Sequence, residues 1–259
     1  MPSVLWGDLT AGEIAQAARE NALVLVPLGC TEQHAAHLPV DTDTYQVERY
    51  AVEGARRAAA RGVRALVLPP LPFGPAAEHH GLPGTISLAS DLYVQLVKQI
   101  LWSLIEGGFR RIVVIRGCGG HWVVPGAVWD VKAEARRAGR DVTLRVIGVA
   151  DDWRAVQESI FPGADGGHAA VMETALCLAE REALVHREAM RAPALDRLDE
   201  RYRRGGEVFL FDEITDTGAL GDPTPATVEG GRAAWDAIAD LLADRLAFFD
   251  EQDRALGRR

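Results

Sequence analysis

The feature that most constrains this chain is Leu23–Leu28, LVLVPL, an unbroken apolar run that reads as a buried strand. Pro27 marks its closing end and Gly29 finishes it. The segment that follows carries Glu32, His34, His37, Asp41 and Asp43. These are the oxygen and nitrogen donors that borderline divalent cations accept. Ligands gather just past the carboxyl end of a strand in an open α/β sheet. Glu32 and His34 are two apart, so an extended loop aims both side chains the same way. Asp43 falls where the next helix should start, and taken alone it reads as a helix cap.

The rest of the chain alternates strand with helix. Thr10 and Glu13 have capping-box spacing, with a helix to about Asn21. A helix is expected over Thr44–Arg61, stopped by Gly62, then a short strand over Ala65–Leu68. Asp91–Glu106 is the next helix, capped by Ser90, and Arg111–Ile115 is a third buried strand. Val124–Ala138 reads as a helix with Pro125 in its first turn. Val142–Val149 is a fourth strand, ending at Asp151-Asp152-Trp153. Helices follow over His168–Arg181 and from Ala233 to about Leu256, and the stretch between, with Gly205 and Gly206, is irregular. This order predicts one domain over residues 1–259, a three-layer α/β/α sandwich around a mainly parallel sheet.

Composition narrows the function. The net charge of −9 argues against nucleic acid or an anionic membrane as partner. Cys30, Cys118 and Cys177 are widely spaced and odd in number, which suits a reducing cytoplasm rather than a disulfide framework. MPSVLWGDLT lacks the basic start and apolar core of a signal peptide, and no run is long enough to span a membrane.

Two further loops hold reactive side chains. One, rich in Gly and Pro, carries His79 and His80 and is a candidate wall of an active site. The other is Arg116-Gly-Cys-Gly-Gly-His121, running out of the third strand. Its spacing matches neither the dinucleotide fingerprint nor the P-loop. Trp122 and Trp153 lie beside motif ends, placed either to line a pocket or to pack in the core.

GCTEQHAAHLPVDTD (residues 29–43) resembles the creatininase (creatinine amidohydrolase) family signature G-S-x-E-Q-H-G-x-H-L-P-x-x-T-D. HHGLPGTISL (79–88) resembles that family's H-x-x-F-P-G-T-I-S-L, GHAAVMETA (167–175) its G-H-x-x-x-x-E-T-S, and GALGDPTPAT (218–227) its G-x-x-G-D-P-x-x-A-T. The blocks come in the family's order and cover most of the chain.

The resemblance implies a metal-dependent hydrolase of a C–N amide bond in a cyclic amide, formamide or small peptide-like substrate. It implies Glu32 and His34 on opposite metals, Asp43 bridging them, Glu173 as a further ligand and His168 as the catalytic proton carrier or oxyanion stabiliser. His168 is expected at or before the start of its helix. The family usually reads N-G-H-G-G-N after the third strand, whereas here Cys118 stands at the histidine position and His121 at the last asparagine. Cys118 is a candidate ligand that favours zinc over manganese or iron, with His121 the other candidate. His79, His80, His121, Trp122 and Trp153 are candidate substrate contacts. Ala35 replaces a glycine and adds a methyl group beside the site, and Cys30 replaces a serine. No Cys-His-Asn order supports Cys30 as a protease nucleophile. The alternative to an enzyme is a degenerate binding protein that keeps the fold with an altered metal site. Family members often form homo-oligomers, which the resemblance extends to this chain.

Overall fold

The computed structural model describes residues 3–195 and 208–257. Gly205 and Gly206, read as part of an irregular stretch, lie outside the described residues. The strands are β1 (Leu23–Leu28), β2 (Ala65–Val67), β3 (Arg111–Arg116) and β4 (Thr143–Gly148). They form a sheet of order β2-β1-β3-β4 in which every pair is parallel. β1 lies inside the sheet with all six residues buried, as its lack of a polar face requires.

The longer helices among the described residues are α1 (Ala11–Arg19), α2 (Thr42–Ala60), α3 (Ser90–Glu106), α4 (Val124–Arg137), α5 (Val149–Ile160), α6 (Val171–Arg181) and α7 (Val228–Ala255), with a single turn at Phe211–Ile214. Side chains alternate across the sheet. Leu23, Leu25, Val113 and Ile115 pack toward α2, α5, α6 and α7, while Val24, Val26, Ile112 and Val114 pack toward α1, α3 and α4. Helices therefore cover both faces of a parallel sheet, which is the α/β/α layering expected.

Local chemistry accounts for most of the boundaries. The capping box forms: Glu13 N–H donates to Thr10 Oγ1 (3.4 Å) and Thr10 N–H to Glu13 Oε2 (2.8 Å). Ser90 is not a cap but the first residue of α3, with Ala89 in the cap position and no side-chain cap bond. β4 ends at Gly148, close to the expected Val149, but α5 is a correction, because the chain turns helical there and no helix was expected over Val149–Ile160. Val149, Trp153 and Val156 are buried at helical spacing, a periodicity present in the sequence.

All four strands point their carboxyl ends the same way, and β2 lies on one side of β1 while β3 lies on the other. The strand order thus reverses at β1. That places a crevice between the β1 and β3 exits, where α/β sheets bind ligands.

Candidate metal centre

Gly29 opens the site. A Cβ there would lie 2.5 Å from the Thr44 Cα, so only glycine lets the first turn of α2 sit on the β1 exit. That contact brings Asp43 inward. Asp43 is not a cap: Asp41 holds the cap position without a side-chain cap bond and pairs instead with Arg181 (2.9 Å). The Asp43 carboxylate is left to face the loop after β1.

His34 is wholly buried. Its Nδ1–H donates to the Glu32 carbonyl (3.1 Å), leaving Nε2 toward Asp43 Oδ1 (3.3 Å) and Glu173 Oε2 (3.7 Å). Glu32 Oε1 meets His79 Nε2 (3.2 Å) and His168 Nδ1 (3.5 Å). Its other oxygen accepts from Cys118 Sγ (3.1 Å), which in turn accepts from Gly120 N–H (3.3 Å). Glu173 Oε2 accepts from Ala169 N–H (2.6 Å), so the turn before α6 aims that carboxylate.

His168 precedes α6, which starts at Val171 rather than at His168. Its Nε2–H donates to the Gln33 carbonyl (2.7 Å), and its ring stacks on Phe211 with centroids 5.1 Å apart. Gln33, a residue with no expected role, ties the loops together. Its amide nitrogen donates to the Gly218 carbonyl (2.9 Å) and to His79 Nδ1 (2.8 Å), and its oxygen accepts from Ala35 N–H (2.9 Å). No local signal marked it, because the alternation that aims Glu32 and His34 one way aims Gln33 the other.

These residues border a cavity of about 690 Å³. Glu32, Asp43, His79, Cys118, Trp153, His168 and Glu173 line it. Three expected contacts, His80, His121 and Trp122, do not. His80 is exposed on the outer side of its turn, and Trp122 is 69% exposed. His121 is buried behind the cavity wall, stacked on Tyr93 with centroids 5.2 Å apart. His37, the other imidazole of the first loop, turns away to Thr174 Oγ1 (2.9 Å). Ala35 does not line the cavity; its φ of +56° puts it in the left-handed region, where glycine is unstrained.

The electrostatics follow from burying so many acids together. Burial raises the Asp43 carboxyl to about 6, with Glu32 adding to the rise and His34 opposing it. Burial raises Glu173 to about 7, against the pull of His34. Burial would lower the His34 imidazole, but the nearby Asp43 charge, then Glu173 and Glu32, push it up to about 10. Burial would also raise Glu32, yet the hydrogen bond from His79 and the fields of the surrounding imidazoles hold it below the usual carboxylate range. Burial, helped by His34, holds His168 well below the usual imidazole range.

A divalent cation suits this donor set. His34 Nε2 and Asp43 Oδ2 are buried and have no hydrogen-bond partner, a costly state for polar atoms in a protein interior. Ligand atoms of Glu32, Asp43 and Cys118 lie within 4.8 Å of one another, as do those of His34, His168 and Glu173. A cation would satisfy the orphaned atoms and offset the crowded negative charge.

A family model described as creatinine amidohydrolase matches residues 7–246. The chain belongs to the creatininase family. The mycofactocin precursor peptide peptidase of Mycobacterium tuberculosis is 32% identical to it, over 93% of this chain and 91% of that protein. A crystal structure of creatinine amidohydrolase (creatininase) superposes with a TM-score of 0.83 at 25% identity, covering 95% of this chain and 97% of the other. A mutant creatininase of the zinc–zinc type superposes at 0.82 and 25% identity, over 95% and 98% of the two chains. Membership of the creatininase family agrees with the order of the sequence blocks and with hydrolase relatives.

Proposed function

We propose that this creatininase-family chain is a metal-dependent amide hydrolase, working as a single domain over residues 1–259. The observation that carries the reading is the pair of orphaned atoms, His34 Nε2 and Asp43 Oδ2, buried among three further acidic or thiol side chains. Glu32, His34, Asp43, Cys118 and Glu173 would hold the cations. Divalent cations bound there would supply Lewis acidity, lowering the pKa of a water so that it gives up a proton to become the nucleophile, and polarising the scissile carbonyl. Zinc is favoured over manganese or iron because Cys118 offers sulfur.

His168 carries the proton. Its Nε2–H is committed to the Gln33 carbonyl, so Nδ1 is the nitrogen free to take a proton from the attacking water and pass it to the leaving nitrogen. Its lowered pKa keeps it unprotonated near pH 7, with a nitrogen lone pair available to accept a proton.

The cavity of about 690 Å³ fits a small cyclic amide, a formamide or the end of a short peptide. The similarity to a peptide peptidase supports the last of these. Arg116 borders the cavity with a buried Nε that lacks a hydrogen-bond partner, a cation suited to a substrate carboxylate. No described helix is long and apolar enough to cross a membrane, and all three cysteines are free and buried, which supports a cytoplasmic location. Trp122 and Trp129, 69% and 76% exposed, support assembly into a homo-oligomer.

Arg116 and Cys118 also favour a second reading, a degenerate binding protein with an altered metal site. Metal analysis with an amide-hydrolysis screen, run on the parent and on Cys118→His, separates the two. A working sulfur ligand predicts metal-stimulated hydrolysis in the parent that the histidine variant loses. Metal binding or activity appearing only in the histidine variant would establish the degenerate reading.

A further inference from the structure

We propose that Cys30, Cys118 and His121 form a thiolate–imidazole corner that takes a zinc-class cation, with Glu32 completing its ligands. The inference rests on reading the site as a metal centre and adds Cys30 and His121 to Glu32 and Cys118, which that reading already uses as ligands. Cys30 leaves β1, and Cys118 and His121 leave β3, so the two neighbouring strand exits bring the three together. Their ligand atoms all lie within 4.8 Å of one another, and all three residues are buried.

Cys30 and Cys118 pack with Ala76, and the His121 ring stacks on Tyr93. His121 Nε2 is turned toward Tyr93 Oη (3.4 Å) and toward Gly74, where an added Cβ would come within 2.3 Å of that nitrogen. The other ring nitrogen, Nδ1, is buried with no hydrogen-bond partner. An imidazole kept wholly from water with an idle nitrogen costs free energy unless something binds it.

The sequence adds an independent observation. The usual family pattern has serine, histidine and asparagine at positions 30, 118 and 121, so each member of this cluster is a departure from it, as are Ala35 and Arg116 elsewhere. Cys118 Sγ also contacts Glu32 Oε2 (3.1 Å), which joins the corner to the carboxylates. Two sulfurs, one nitrogen and one carboxylate oxygen make a four-ligand set of the kind zinc accepts. Binding displaces the two thiol protons to solvent as the thiolates form.

Cobalt(II) titration of the chelator-treated full chain tests this, read by thiolate-to-cobalt charge-transfer absorption in the near ultraviolet. The expected result is a band in the parent, part of it lost in Cys30→Ser and in Cys118→Ser, and all of it lost in the double variant. X-ray absorption at the zinc edge of the parent needs no variant and should show sulfur at about 2.3 Å. Cobalt or zinc bound with only nitrogen and oxygen neighbours, or a band that Cys30→Ser leaves unchanged in a folded protein, overturns the sulfur corner alone. Failure to bind either cation overturns both the corner and the metal-centre reading beneath it.

Discussion

Gln33 fixes the tautomer of His79. The Gln33 amide nitrogen can only donate to His79 Nδ1 (2.8 Å), so the ring proton sits on Nε2 and is given to Glu32 Oε1 (3.2 Å). A candidate ligand is thereby oriented through a relay from Gly218 by way of Gln33 and His79. Gln33→Leu removes the relay and leaves buried partners unpaired, at about 1–3 kcal/mol for each orphaned group. Zinc affinity should fall roughly ten- to a hundredfold, measured by competition with a chromophoric chelator. An unchanged affinity in a folded variant would remove the relay from the account of the site.

Metal-free protein should lose stability as pH rises from about 7 to 10. His34 is raised to about 10 in the folded state, so the native protein holds a proton there that the unfolded chain has released. Cys177, raised by burial to about 11, acts in the same direction at the alkaline end. Thermal melts across this range should show a falling midpoint, and His34→Gln should flatten the fall below pH 9. Saturating zinc should reverse the trend, because cations compete with that proton and bind more tightly as it leaves.

His168→Ala should reduce kcat by roughly 10² to 10⁴ on any amide the parent cleaves, the range for loss of a general acid–base group. Zinc content should stay unchanged, because the proposed ligand set does not include His168. Equal loss of metal and activity would recast His168 as a ligand, a role that its approach to His34 and Glu173 would permit.

Ala35→Gly should stabilise the fold by about 1 kcal/mol or more. Ala35 holds a left-handed backbone (φ +56°), which costs a residue with a Cβ about 1–2 kcal/mol. Its N–H is tied to Gln33 Oε1 (2.9 Å), so the strain is carried by the loop that holds the site. Chemical denaturation measures the gain. A variant less stable than the parent would show that the lost methyl group matters more than the backbone.

What the sequence determined was whatever local pattern encodes. The apolar run of β1, the capping box at Thr10 and the alternation of strand with helix gave the layered parallel fold, because periodicity and capping act over a few residues. Chemically typed residues past the strand exits marked Glu32, His34, Asp43 and Cys118 for one site, the family resemblance added Glu173 from a helix, and the structure brings them together. Only the tertiary structure decided which neighbours joined them. His79 and His80 are adjacent and of the same type, yet one is buried on Glu32 and the other is exposed, since a turn of the chain divides them. Gln33 and Phe211 became organisers through contacts with residues far along the chain. The pairing of Cys30 with Cys118 and His121 depends on β1 and β3 lying side by side, a sheet order that no local signal along the chain specifies.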